Sequence, residues 1–138
     1  MIIKNNIYPK KAGRKIYLNH VINKFINDEW EKLNRNQIIP WSFLTSKGGL
    51  SCKDFYGREI HYGGVKFEGS PREVFWNGYI EPFLEDITYR AIDFTINICK
   101  DKEEKIQEPL LETDRQLKSL VRKTYASMAD VDRRLRGC

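Results

Sequence analysis

Between Leu117 and Leu135, apolar and small residues recur at steps of four, three, four, three and four: Leu117, Val121, Thr124, Met128, Val131 and Leu135. That spacing suits a helix and excludes a strand, whose side chains alternate every two residues. All six positions fall on one narrow face, so the segment needs a partner surface, within the chain or on another one. Leu120 and Tyr125 widen the face. Thr113-Asp114-Arg115-Gln116 reads as a capping box and Gly137 as a terminator, which predicts a helix over 113–136.

A second helical pattern runs over 14–34, carried by Ile16, Leu18, Val21, Ile22, Phe25, Ile26, Trp30 and Leu33. It is expected to stop within Asn34–Gln37, ahead of Pro40. A third helix is expected over 71–89, opened by Ser70 as cap, Pro71 in the first turn and Glu73. Pro82 cannot donate to the carbonyl of Gly78, so a kink or break belongs there. Beyond it, Ile92, Phe94, Ile96 and Ile98 alternate with polar residues. This stretch reads either as a strand or as a continuation of the helix to 100.

Glycine crowds the region between the first and third helices. Glu59-Ile60-His61-Tyr62 and Val65-Lys66-Phe67-Glu68 flank Gly63-Gly64, a pair suited to the positive φ of a tight primed turn. A β-hairpin around 58–68 is the expectation. The fold class expected is therefore mainly α with a small β-hairpin (α+β), three to four helices, in a single domain spanning 1–138.

The net charge of +5 is unevenly spread. Residues 1–24 carry six bases and no acid, residues 115–138 carry seven bases and two acids, and the middle is acidic. Such ends either bind a polyanion or lie against the acidic middle. On the last helix Arg115, Lys118, Arg122 and Arg133 form a basic stripe able to track phosphates. No helix-turn-helix, zinc-finger or RNA-recognition signature accompanies it.

Catalytic signals are sparse. The only histidines are His20 and His61. Cys52, His61 and Glu59 make the one constellation able to activate a nucleophile, but no strand-to-helix elbow or oxyanion loop goes with them. Ser46-Lys47-Gly48-Gly49 lacks phosphate-loop spacing. Glu81 and Glu85 share a helix face without a histidine at ligand spacing. Three widely spaced cysteines at 52, 99 and 138 suggest reduced thiols in the cytoplasm. No metal, cofactor or membrane span is expected.

The leading functional expectation is a non-enzymatic binding or regulatory module. Its interface would be Leu117, Val121, Met128, Val131 and Leu135 on the C-terminal helix, meeting a protein partner or a second copy. Nucleic-acid binding through the basic ends is the alternative. A small enzyme around His61, Cys52 and Glu59 comes third.

Overall fold

The computed structural model describes residues 10–42, 50–62 and 74–136. Helix α1 spans Lys10–Leu33 and continues through a π turn, Asn34–Ile38, into the short α2, Ile39–Ser42. Strands β1 (Leu50–Lys53) and β2 (Glu59–Tyr62) follow. A second π turn, Trp76–Ile80, leads into α3 (Glu81–Asp101), and α4 spans Gln107–Arg136.

The three long helices form a bundle whose directions follow from their contacts. Phe25 stacks on Phe94 and Glu29 pairs with Arg90, so α1 and α3 run in opposite senses. Thr95 meets Thr113, and Trp76 meets Tyr125, so α3 and α4 are also opposed. Asn23 bonds Gln116 and Trp30 lies under Lys123, which makes α1 and α4 parallel. The core is built where the three meet, from Ile22, Ile26, Ile87, Leu120 and Met128, among others. It closes at one end on Trp41, stacked on Phe75 with ring centroids 4.5 Å apart.

The expected α+β class is corrected: the architecture is helical. A hairpin around 58–68 is not part of it. Gly63-Gly64 and Val65–Glu68 lie outside the described residues, and Glu59–Tyr62 pairs backwards with Leu50–Lys53 instead. The turn between those four-residue strands is made at Asp54. Its carboxylate accepts the N–H groups of Tyr56 at 2.9 Å and Arg58 at 2.8 Å, and Gly57 takes the positive φ of 86°. An Asp followed by a Gly three residues on is a turn signal in its own right. Two strands this short cannot enclose a core, so the ribbon decorates the bundle.

Helix boundaries also shift. The first helix does not stop at Asn34–Gln37. The π turn at Asn34–Ile38 carries it past Pro40, with the N–H of Ile39 bonded to the carbonyl of Asn34. The second π turn precedes Pro82 at the same offset: each ends two residues before the proline. A proline ring collides with the carbonyl four residues back, and a widened turn gives that carbonyl room. The stretch 90–100 is helix, because α3 reaches Asp101. The last helix starts at Gln107, not at Thr113. Thr113 is buried within it, its hydroxyl 2.9 Å from the carbonyl of Pro109 and 2.6 Å from the hydroxyl of Thr95.

Candidate functional site

The surface of α4 carries most of the residues that the sequence singles out. Met128 and Val131 are buried inside the bundle, Leu117 packs on its edge, and the side chain of Leu135 lies outside the described residues. Val121 is 42 % exposed. Leu120 is buried in its place, together with Thr113 and Thr124. The buried stripe is therefore rotated by about 100°, one residue's turn, at that step. Val121 and Tyr125, the latter 54 % exposed, stand on consecutive turns at the flank of the stripe. Trp76 meets Tyr125 edge to face at 6.0 Å.

The basic stripe is largely neutralised within the helix. Arg115 holds Glu112, Lys118 reaches Asp114 at 2.9 Å, and Arg133 and Arg134 both engage Asp130 at 2.6 and 3.1 Å. Such i,i+3 and i,i+4 pairs leave little net field for a polyanion. Burial disfavours the charged form of Glu112, but hydrogen bonds from Arg115 and Gln116 and the charge of Arg115 outweigh it, so its carboxyl sits below the ordinary range. Arg122 and Lys123 are the exceptions: among the described residues, neither has a carboxylate within ion-pair distance.

Lys123 faces α1 across a parallel groove. Asn23, Ile26, Asn27 and Trp30 of α1 stand against Gln116, Ser119, Leu120 and Lys123 of α4, both sets spaced i, i+3, i+4, i+7. One end is bridged by the Asn23 amide donating to Gln116 at 2.8 Å. The other is bridged by the Lys123 ammonium, 5.3 Å from the centroid of Trp30. Between them, the short side chains of Asn27 and Ser119 leave a notch of about 140 Å3. A larger hollow of about 260 Å3 lies between the first π turn and α4, but its charges, Asp130 and Arg134, already satisfy each other.

The third constellation falls on the two strands of the ribbon. Cys52 pairs with Ile60 and His61 with Ser51, so Cys52 and His61 are one step out of register; Glu59 pairs with Lys53. The side chains of Cys52 and His61 lie outside the described residues. His20 is exposed on α1. Cys99 is a buried thiol, pushed above its ordinary range by burial and by the charge of Glu104. Among the described residues no three His, Cys, Asp or Glu side chains cluster as metal ligands. No helix among them is long and apolar enough to cross a membrane.

The α1–α4 notch is the feature that the sequence reading missed. Its signal was present: polar Asn23 and Asn27 on α1, and Gln116, Ser119 and Lys123 on α4, each set beside an apolar stripe. What could not be read was that those two polar edges meet. Comparison with protein-family models, with characterised proteins and with solved structures finds no match.

Proposed function

We propose that the chain is a non-enzymatic binding module that receives an amphipathic helix of a partner protein on the outer flank of α4. The observation that carries this reading is the pair Val121 and Tyr125, two large apolar side chains exposed on consecutive turns of the longest helix. Exposed apolar side chains that are adjacent on a rigid helix favour an interface over a solvated surface. Arg122 lies beside them without a carboxylate of its own among the described residues. The partner helix should therefore carry an acidic residue next to its apolar anchors. The cytoplasm is the compartment this reading assigns, from the odd number and wide spacing of the cysteines.

The reading replaces the full seam of Leu117, Val121, Met128, Val131 and Leu135 with its exposed flank, since Met128 and Val131 are spent on the bundle core. Binding of nucleic acid along Arg115, Lys118, Arg122 and Arg133 has less support, because three of the four are paired with acids on the same helix.

The test is site-specific photocrosslinking in the native cell, with the reactive group placed in turn at positions 121, 125 and 31. Glu31 is exposed on α1 and serves as the control. Adducts of defined mass at 121 and 125, absent at 31 and lost in an Arg122→Glu protein, are expected. Equal labelling at all three positions overturns the reading. Adducts of twice the chain mass identify the occupant as a second copy and overturn the partner-helix assignment.

A further inference from the structure

We propose that the notch between α1 and α4 is a binding site for a small polar carboxylate, with Lys123 as its counter-charge and Asn27 and Ser119 as its hydrogen-bonding walls. This site is independent of the flank bearing Val121, because residues two apart on a helix point about 200° away from each other. The notch exists because its middle is built from short side chains while long pairs close its ends. Its volume of about 140 Å3 is well above the roughly 10–15 Å3 that a single water needs, room for an acid of a few carbon atoms.

The chemistry of the lining selects the ligand. Ile26, Leu120 and the face of Trp30 supply an apolar floor and end wall. Among the described residues, neither the Asn27 amide nor the Ser119 hydroxyl has a protein partner, so both remain available to donate and accept. Among the described residues, Lys123 is the single uncompensated charge lining the notch. The neighbouring Glu112 is taken up by Arg115 and by the amide of Gln116 at 2.7 Å. One ammonium matches one carboxylate. A phosphate dianion would bring a second charge with no partner, which favours the carboxylate. The Lys123 head already sits over Trp30, so its long side chain is held near the site before a ligand arrives, and less freedom is lost on binding.

The test uses the whole chain and lactate as the probe, with lactamide as its uncharged match and inorganic phosphate as the competing anion. Backbone and side-chain amide signals are followed by NMR. Saturable shifts with lactate at Asn27, Ser119 and Lys123 are expected, with no saturation by lactamide or phosphate. Lys123→Gln should weaken lactate at least tenfold while leaving the rest of the spectrum in place. Ser119→Leu fills the notch and should abolish the shifts. Should either variant fail to fold, the wild-type comparison of lactate with lactamide still decides. Equal shifts with lactate and lactamide, tighter binding of phosphate, shifts at other residues, or no saturation at all would each overturn the proposal.

Discussion

The carbonyl of Gly78 accepts a hydrogen bond from the N–H of Phe55 at 3.0 Å. Its ordinary helical donor would be residue 82, which is a proline and has no N–H. The group that Pro82 orphans is thus the one that anchors the ribbon turn to the bundle. The ring of Phe55 reinforces it, lying edge to face with Tyr79 at 5.6 Å and Phe83 at 6.5 Å.

Pro82→Ala restores a competing donor on the helix. The Phe55 amide should then exchange with solvent faster, by about two- to tenfold for one hydrogen bond of ~0.5–1.5 kcal/mol. Hydrogen exchange read at Phe55 checks this. Unchanged protection would show that ring packing alone holds the turn.

At the heart of the α3–α4 contact, Thr95 and Thr113 share three short contacts: with each other at 2.6 Å, and with the carbonyls of Ala91 and Pro109 at 2.8 and 2.9 Å. Two hydroxyls have only two protons. Thr95→Val or Thr113→Val alone should cost about 1–2 kcal/mol, by weakening a buried network. The double variant should cost less than the sum of the singles, because each removes the other's partner. Urea denaturation of the three variants provides the comparison, and strict additivity would contradict a shared network.

Leu120 and Val121 are neighbours with opposite environments. Leu120→Ala should destabilise by about 2–5 kcal/mol through lost burial and a cavity. Val121→Asp should cost under about 1 kcal/mol, since it adds a charge to a side chain already facing water. Thermal melts of both proteins settle the orientation of α4. A larger loss at position 121 than at 120 would reverse it.

Glu112 links stability to acid. Its folded carboxyl titrates below its unfolded value, held down by Arg115 and Gln116 against the effect of burial. Its contribution is therefore complete above the unfolded pKa near 4.5 and disappears as pH falls through the lower folded value. Glu112→Gln should lower stability modestly at neutral pH, where the contribution is complete, flatten that part of the stability-versus-pH curve, and converge with the parent protein in acid. An acid limb that is identical in both proteins would exclude the linkage.

Cys99 should resist alkylation in the native protein, because it is buried and its thiol is pushed up by burial and by Glu104. Peptide mapping after iodoacetamide treatment, with and without denaturant, measures this. Labelling of Cys99 in the folded state as fast as in the unfolded state would contradict the packing.

The sequence by itself determined that this chain is built from long amphipathic helices. The seam from Leu117 to Val131 and the run from Leu18 to Leu33 are periodic over many turns, and local geometry alone makes that pattern readable. It also determined that the carbonyl of Gly78 would lose its helical donor to Pro82. Four things were decided only by tertiary structure. The alternation of Ile92, Phe94, Ile96 and Ile98 imitates a strand because the stripe between them is Ala91, Thr95 and Cys99, all buried although none is a large aliphatic residue. Flanking side chains two apart then fall on either side of a buried helix face. Thr113 looks like a cap because a threonine hydroxyl serves equally well at a helix start or in a buried pair, and only the approach of Thr95 selects between them. The choice of Leu120 over Val121 for the core depends on the angle at which α1 and α3 meet α4. The notch arises because Asn27 and Ser119, 92 positions apart in the chain, face each other across parallel helices. Helical period is a property of neighbours along the chain; which faces meet is a property of the whole packing.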